Sequence, residues 1–331
     1  LPDIEYTLVI NTAGGKTYSS NQQTLTPISQ IDNLHAEFVD DDVNGPGVQV
    51  FVDSNNSNSE AKYFRYEYEE TYQVIPPYYY PLEAILSNYE EEITNGDINV
   101  FYDVDFLERS QEEKTCYSTI TNKNIIQTTT NDLEDNIVLN FPVRFINNEI
   151  GAEDIGIPIE ENVTVADISI LRDRYSILVK QYVQNIESYT FYKTTNILGN
   201  NESVLSESQP GSVEGNLSGL DKNEKIIGFF EVNSVSERRI FFNYSDFNLP
   251  QPDYIYKCEI KELNFSDNTT LDFDLNERSE IYRLITTFSD LNFNDQIIEN
   301  PLINPNWKLS NPECTDCTTV GTNIEPDFWV D

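Results

Sequence analysis

The sequence predicts a mainly β fold, and three observations support this prediction. Aromatic residues make up 12 % of the chain, with 20 Tyr and 18 Phe among 331 residues, and such side chains suit pleated sheet better than helix. Apolar and polar residues alternate along many segments, as in half-buried strands. Turn residues separate these segments about every eight to twelve positions, as in a β-sandwich. We therefore expect an immunoglobulin/fibronectin-like β-sandwich with a few short helices and a disulfide-fastened C-terminal tail.

Alternating segments predict the individual strands. In residues 63–74 (YFRYEYEETYQV), aromatic residues occupy every second position from Phe64 to Tyr68, which predicts a long strand with one buried face. Residues 4–11 and 17–18 predict a hairpin around a Gly-Gly turn. Further strands are predicted at 33–38, 48–53, 98–106, 115–128, 137–146, 163–170, 174–182, 225–232 and 238–244.

Apolar residues at helical spacing predict three short helices. The first lies at 82–89, directly after the proline-bounded segment 76–81. The second runs from Asn185, a residue type that caps helix N-termini, to about Leu198. The third is predicted at 279–288. All three are brief, so the predicted fold class remains mainly β.

The domain organisation is predicted from this order of elements. Residues 1–30 are interpreted as the end of an N-terminal β-domain, because a single hairpin there lacks earlier partners. Residues 31–250 form the main β-sandwich domain in this interpretation. Residues 251–331 form a C-terminal extension that carries a CxxC sequence.

The chain is strongly acidic, with a net charge of −37 from 57 acidic and 20 basic residues. Such a surface repels nucleic-acid phosphates and anionic lipid headgroups, so neither is expected as a direct ligand. It attracts cations and basic protein patches instead. The charge therefore favours a protein partner.

No apolar run reaches about eighteen residues, which excludes a transmembrane helix at the sequence level. No signal peptide is visible either. The sequence contains no Met and opens at Leu1 within a predicted strand. We therefore expect the natural N-terminus, with any targeting segment or lipid anchor, to lie upstream.

The four cysteines, Cys116, Cys258, Cys314 and Cys317, indicate an oxidising compartment. Four cysteines allow three pairings, and the sequence does not choose among them. The CxxC at Cys314 and Cys317 lacks the βαβ setting of a redox motif and the second close pair of a zinc ribbon. Structural disulfides that fasten the tail to the core are the favoured interpretation.

The sequence predicts a protein that is not an enzyme. His35 is the only histidine, and its position in an alternating strand favours a polar residue on a strand face. None of the hydrolase, metalloprotease or nucleotide-binding motifs occurs. Paired carboxylates for glycoside hydrolysis remain open in principle, but nothing in so acidic a chain selects a pair.

The segment from Asp40 to Gly45 matches the first half of a calcium loop. Asp40, Asp42 and Asn44 place oxygen ligands at alternate positions before a glycine, as calcium sites require. The twelfth position is Phe51 and not the bidentate Glu, which excludes a standard EF-hand. Turn chemistry alone also explains the segment, so no cofactor is predicted and Ca²⁺ is kept as the weaker alternative.

Tyr78, Tyr79 and Tyr80 lie between prolines. Adjacent tyrosines in such a loop cannot all enter one core, and tyrosine is enriched at contact surfaces. They are candidates to anchor a protein partner or to stack on a sugar ring. A locally packed loop is the other interpretation.

Six segments, in order, resemble the Bacteroidetes domain-of-unknown-function 4249 family. They are YFRYEYEETYQV (63–74), KTCY (114–117), RYSILVKQY (174–182), QPGSVEGN (209–216), IIGFFEVNSVSERRIFF (226–242) and ECTDCTTVGTNIEPDFW (313–329). The resemblance implies a cell-surface lipoprotein of the outer membrane, encoded beside a TonB-dependent receptor. The lipid-bearing cysteine that opens the family's sequences does not occur in this chain, so the anchor is implied only. The family has no established catalytic residues to carry over.

The resemblance and the residues together predict the function. We expect an accessory lipoprotein, lipid-anchored on the extracellular face of the outer membrane. Its partner would be an outer-membrane β-barrel protein, a TonB-dependent transporter or a larger barrel complex, and it would act by binding. The alternative is a free carbohydrate- or calcium-binding β-sandwich module.

Overall fold

The computed structural model describes residues 4–57, 60–79, 81–94, 97–109, 114–147, 167–200, 215–219, 224, 226–264, 296–297 and 306–330. Within these residues the chain forms eighteen strands and one α-helix. The prediction of a mainly β fold is therefore confirmed. None of the described helices is long and apolar enough to cross a membrane.

The strands are β1 (Glu5–Tyr6), β2 (Val9–Asn11), β3 (Thr17–Ser20), β4 (Gln23–Thr24), β5 (Asn33–Asp41), β6 (Gly45–Asn55), β7 (Tyr63–Val74), β8 (Leu82–Thr94), β9 (Asp97–Glu108), β10 (Cys116–Thr121), β11 (Ile126–Thr129), β12 (Ile137–Asn147), β13 (Tyr175–Gln184), β14 (Leu217–Gly219), β15 (Val235–Phe242), β16 (Ile260–Asn264), β17 (Gln296–Ile297) and β18 (Asn306–Ser310). The helix α1 spans Ile186–Asn200. Short 3-10 turns occur at Asp167–Leu171, Tyr244–Phe247, Pro312–Cys314 and Cys317–Thr319.

These strands form several sheets. The largest has the order β10-β7-β13-β15, and β11 also pairs with β7. Three-stranded sheets have the orders β12-β6-β5, β14-β3-β2 and β16-β18-β17, and two-stranded sheets join β1 to β4 and β8 to β9. Every pair whose register is described is antiparallel.

The chain divides into two compact units. The first comprises Leu1–Glu70, Ile120–Asn147 and Ser176–Phe241, and the second comprises Thr71–Thr119, Asn148–Tyr175 and Phe242–Asp331. Compact units of one chain need not be separately folding domains. The predicted boundaries at residues 30 and 250 therefore remain a prediction.

The core of the first unit follows the alternation of the sequence. In β6, Val48, Val50 and Val52 are fully buried, because successive strand side chains point to opposite faces of the sheet. The buried ring of Tyr66 stacks on the ring of Phe141, with centroids 5.1 Å apart. These contacts join the faces of two sheets within the unit.

A chain of polar groups also crosses this core. The Tyr66 hydroxyl donates to Gln181 Oε1 at 3.1 Å, and Gln181 Nε2 donates to Ser29 Oγ at 2.8 Å. Burial raises the pKa of Tyr66, because its charged form would lose its hydration there. Each member is hydrogen-bonded, which is what makes a buried polar group tolerable.

The second unit has its own apolar centre. Ile170, Leu171 and Tyr175 are fully or almost fully buried, and the Tyr175 ring lies 4.8 Å from the ring of Phe242. The long β8–β9 hairpin and the sheet of β16, β17 and β18 also belong to this unit.

The structure confirms the predicted helix cap at Asn185. Its side-chain oxygen accepts a hydrogen bond from the Ser188 N–H at 2.8 Å, which satisfies one of the free donors of the first helical turn. The helix then extends to Asn200, slightly beyond the predicted end at Leu198.

The predicted helix at 82–89 is wrong, because these residues belong to strand β8. β8 pairs with β9 from Leu82 opposite Glu108 to Thr94 opposite Asp97. The ladder provides backbone partners along almost the whole segment, so it overrides a short helical pattern. Asn95-Gly96, which separates the two strands in the sequence, is a residue pair that favours hairpins. The predicted helix at 279–288 lies outside the described residues.

Four predicted strands also differ from the structure. Residues 4–11 form two short strands, β1 and β2, which pair with β4 and β3 respectively. The segment 115–128 forms two strands, because the Asn122 side chain accepts the Tyr68 N–H at 2.7 Å and interrupts the ladder. Residues 226–232 form no regular strand, since the Asn216 side chain bonds both backbone groups of Phe230 at 2.7 Å. Within 163–170, the described part forms a 3-10 turn.

Candidate functional site

The connection between β5 and β6 carries Val43, which has the highest exposed fraction of the large apolar side chains described. We call residues 38–45 the β5–β6 tip. Asp41 lies opposite Gly45, so three residues make the connection. Val43 at its apex is 87 % exposed, and Phe38 on β5 is 44 % exposed. The tip therefore presents apolar surface beside three consecutive aspartates.

The backbone of the tip is held by hydrogen bonds. The N–H groups of Val43 and Asn44 donate to Asp41 Oδ1 at 2.9 and 2.7 Å. The Asn147 side chain donates to the Asn44 carbonyl at 2.9 Å. Gly45 adopts a φ of 74°, a left-handed conformation that glycine enters without steric cost. The apex is thus ordered before any partner binds.

The predicted calcium ligands lie in this tip, but their arrangement differs from a calcium loop. The side chains of Asp40, Asp42 and Asn44 are exposed, while Asp41, which was not a predicted ligand, accepts the backbone hydrogen bonds. Across the described ranges, no group of three or more His, Cys, Asp or Glu side chains is placed to hold a metal ion. Calcium binding here remains an untested prediction.

Asp41 makes the tip sensitive to pH. The N–H of Asn44, and then that of Val43, lowers the pKa of the Asp41 carboxyl by stabilising its charged form. A carboxyl whose pKa is depressed in the folded state stabilises that state above its unfolded pKa, and this contribution is lost as pH falls through the folded pKa.

We predict that Asp41→Ala accelerates hydrogen exchange of the Val43 and Asn44 amides, because both lose their acceptor. Nuclear magnetic resonance measures this directly. Asp42→Ala is the matched control and leaves both amides unchanged. Equal acceleration in the two variants would show that the carboxylate of Asp41 does not order the tip.

The tyrosine loop packs within the second unit. The Tyr78 N–H donates to the carbonyl of Cys314 at 3.1 Å. The Tyr79 ring lies under the Arg109 guanidinium, 5.3 Å from its central carbon, and the Arg109 side chain is only 2 % exposed. Both tyrosines are half-buried, and Tyr80 lies outside the described residues. These contacts favour the packed-loop interpretation, and the partner-anchor interpretation remains a prediction.

The disulfides join Cys116 to Cys317 and Cys258 to Cys314. No free cysteine occurs among the described residues. The two members of the CxxC therefore bind different distant cysteines and not each other. This pairing matches the structural-disulfide interpretation, and it selects one of the three combinations that the sequence left open.

Further contacts hold the tail beside the first disulfide. Tyr117 and Thr322 exchange two backbone hydrogen bonds of 2.8 and 2.9 Å, and the Tyr117 ring meets the Trp329 ring at 4.8 Å. The Tyr117 hydroxyl donates to Glu325 Oε2 at 3.0 Å. A Cβ on Gly321 would come within 2.5 Å of the Tyr117 carbonyl, so glycine permits this close approach.

His35 behaves as a polar residue on a strand face. Its ring stacks against Phe51 with centroids 5.5 Å apart, and its Nδ1 lies 3.0 Å from the Asn33 amide nitrogen. Carboxylate oxygens of Glu37 and Asp53 each lie 3.7 Å from a ring nitrogen.

Sequence reasoning missed a cluster around Arg65. The Arg65 guanidinium lies between the rings of Tyr182 and Tyr192, at 4.5 and 4.8 Å from their centroids. It pairs with Glu231 at 2.9 Å and also with Glu67. Alternation placed Arg65 and Glu67 on one face of β7, but the strand, helix and loop residues that complete the cluster are remote in sequence.

The charged groups of this cluster shift the pKa values of one another. Burial acts to lower the Arg65 pKa, but the carboxylates of Glu231 and Glu67 outweigh it and raise the pKa above its ordinary value. Burial, aided by the charge of Glu231, raises the pKa of Tyr192. Glu231 also accepts a hydrogen bond from Ser188 in α1. The cluster therefore fixes α1 to the sheet.

Together, the fold and these contacts define a mainly β, disulfide-crosslinked protein that displays an ordered hairpin tip between β5 and β6. The profile described as Domain of unknown function (DUF4249) matches residues 1–239, more than half of the sequence. The chain belongs to this family, which confirms the predicted resemblance. The match includes Cys116 and ends before Cys258, Cys314 and Cys317. No curated protein matches the sequence.

Proposed function

We propose that the protein is an accessory surface lipoprotein that docks on an outer-membrane β-barrel and acts by binding, not by catalysis. A TonB-dependent transporter is the leading partner. Membership of the DUF4249 family supports this class of protein. The observation that carries the docking mechanism is the β5–β6 tip, with its exposed valine on an ordered backbone.

The disulfides and the charge support a location outside the cytoplasm. Disulfides persist in oxidising compartments, and both pairs here tie the C-terminal segment to earlier parts of the second unit. A net charge of −37 keeps a surface protein soluble and disfavours direct adhesion to anionic headgroups. Attachment through an N-terminal lipid and a protein partner is consistent with both properties.

The tip has the chemistry of a docking anchor. Interfaces combine an apolar centre with a polar rim, and Val43 and Phe38 lie beside Asp40, Asp41 and Asp42. An ordered loop loses little conformational freedom on binding, which strengthens association. The aspartates favour basic extracellular loops on the partner through electrostatic complementarity.

The proposal includes the finer fold class. Within the first unit, Tyr66 stacks on Phe141 and Glu70 Oε1 accepts from Arg144 Nε at 2.8 Å, contacts that join β7 to β12. Two sheets that face each other through such contacts support an immunoglobulin/fibronectin-like β-sandwich. The tip lies at the end of the two long strands β5 and β6.

Native pull-down from outer membranes tests the proposal. Wild-type protein is expected to retain an outer-membrane barrel protein through purification. Val43→Asp is expected to weaken that association about tenfold or more, the effect of losing an interface anchor. The matched control is Ile227→Asp, because Ile227 is 78 % exposed and does not belong to residues 38–45, so its replacement is expected to leave the association intact.

Purification of the wild type without any barrel would refute the proposed function. Equal retention by both variants would remove the tip from the mechanism. A melting temperature that rises with calcium or a glycan, with no barrel recovered, would support the alternative of a free carbohydrate- or calcium-binding module.

A further inference from the structure

The two disulfides are nested in the chain. The outer pair, Cys116 and Cys317, spans 201 positions, and the inner pair, Cys258 and Cys314, spans 56 positions. Each pair takes one cysteine from the CxxC segment. Neither native disulfide can therefore form until residues 314–317 have become available.

Cysteines that follow one another in the sequence can form non-native disulfides. An oxidant that acts while the chain is being exported reaches Cys116 and Cys258 before Cys314 and Cys317. It joins the first two cysteines in a disulfide. Cys314 and Cys317 are then left to join each other, and a short loop closes at a lower entropic cost than a long one. The outcome of unguided oxidation is a chain with two non-native disulfides.

Such a chain cannot correct itself, because disulfide exchange begins with a thiolate and both disulfides have consumed the four thiols. We propose that a dithiol disulfide isomerase is an obligatory folding partner of this protein. The inference rests on the exported location proposed above, where an oxidant is present.

The exchange is balanced without net oxidation. An isomerase thiolate attacks one sulfur of the Cys314–Cys317 disulfide, for example that of Cys317, and releases Cys314 as a thiolate. The Cys314 thiolate attacks Cys258 in the Cys116–Cys258 disulfide, which forms the native inner pair and releases Cys116. The Cys116 thiolate then attacks Cys317 in the mixed disulfide, which forms the outer pair and returns the isomerase thiolate.

Burial of the cysteines in the folded second unit determines when the isomerase can act on them. Cys116, Cys314 and Cys317 are fully buried, and the tail lies against Tyr117 through Trp329. Thiol exchange requires access to the sulfur that is attacked. The isomerase must therefore act before the tail packs, after which the native pairing is protected.

Export of the full chain into the oxidising periplasm of a bacterial host, with and without its dithiol isomerase, tests the inference. Peptide mapping without reduction gives the share of native pairs. With the isomerase, native pairing is expected throughout. Without it, the native share is expected to fall below about one third, which is the share that random choice among three pairings would give. Full native pairing in both hosts would overturn the inference.

Two double variants provide the matched controls. Cys258→Ser with Cys314→Ser leaves only the outer pair, and Cys116→Ser with Cys317→Ser leaves only the inner pair. Each retains two cysteines and offers no wrong intramolecular partner, so each is expected to pair equally in both hosts. Isomerase dependence of these variants would mean that the enzyme does not act on mispaired disulfides.

An experiment with the purified full chain and purified isomerase still tests the inference if the double variants fail to fold. The full chain is oxidised in denaturant, returned to native buffer and incubated with a catalytic amount of reduced isomerase. Conversion to the native pairs is expected with the enzyme and absent without it. Lack of conversion with the enzyme would overturn the inference. Neither readout depends on docking to a barrel protein, so failure of the docking proposal would leave these outcomes unchanged.

Discussion

Replacement of both Cys116 and Cys317 by serine is expected to lower the free energy of unfolding by about 3–5 kcal/mol. The disulfide closes a loop of 201 positions, and its loss frees the unfolded chain to occupy many more conformations. Urea unfolding followed by tryptophan fluorescence measures the change, because Trp329 packs against Tyr117 beside this disulfide.

The second disulfide supplies the comparison. Serine at Cys258 and Cys314 opens a loop of only 56 positions, so the loss is expected to be about 1 kcal/mol smaller. The slope of the urea dependence should rise in both double variants as the unfolded chains expand. A larger loss for the shorter loop would show that local packing, and not chain entropy, determines the contribution of these bonds.

The Arg144→Met variant is expected to lose about 3–5 kcal/mol of stability, because it removes the Arg144 guanidinium that pairs with the buried Glu70 carboxylate. Arg144 Nε lies 2.8 Å from Glu70 Oε1, and the Glu70 side chain is only 2 % exposed. Urea unfolding followed by circular dichroism measures the loss.

Removal of both charges tests whether the buried charge of Glu70 causes the loss of stability in Arg144→Met. Arg144→Met combined with Glu70→Leu is expected to recover a large part of the stability, since apolar groups often replace a buried ion pair without loss. Lys16→Met is the control, because the Lys16–Glu224 pair is 2.7 Å long but the lysine is 61 % exposed. Exposed pairs contribute little. A double variant as unstable as Arg144→Met would refute the buried-charge explanation.

The local pattern of the sequence was sufficient for several elements. The alternation that buries Val48, Val50 and Val52 is a property of consecutive residues, so β6 was predictable. The cap at Asn185 needs only a side-chain oxygen within reach of the first turn, so the start of α1 was also predictable. Both results follow from interactions among near neighbours.

Residues whose role depends on distant partners were not predictable in the same way. Leu82 to Tyr89 had helical spacing, yet pairing with β9 makes this segment a strand. Glu70 was indistinguishable by type from its neighbours Glu67 and Glu69, and its buried ion pair with Arg144 on another strand was not visible in the sequence. Arg65 likewise required Tyr192 and Glu231 before its cluster was recognisable.

The candidate site likewise has features that the sequence predicted and features that only the structure revealed. The sequence predicted a turn between Asp40 and Gly45 and identified carboxylates there. The register of β5 with β6 decided that Asp41 would face the backbone N–H groups and that Val43 would occupy the exposed apex. A shift of one residue would have turned each strand side chain to the opposite face.

The sequence by itself determined the mainly β class, the acidic surface, the number of cysteines and the family to which the chain belongs. These properties come from composition and from patterns among neighbouring residues. Only the tertiary structure decided which cysteines pair, which charges are buried and which apolar side chain is left exposed at the tip. Those outcomes depend on groups brought together across tens to hundreds of positions, and packing selects one arrangement from the many that the local pattern allows.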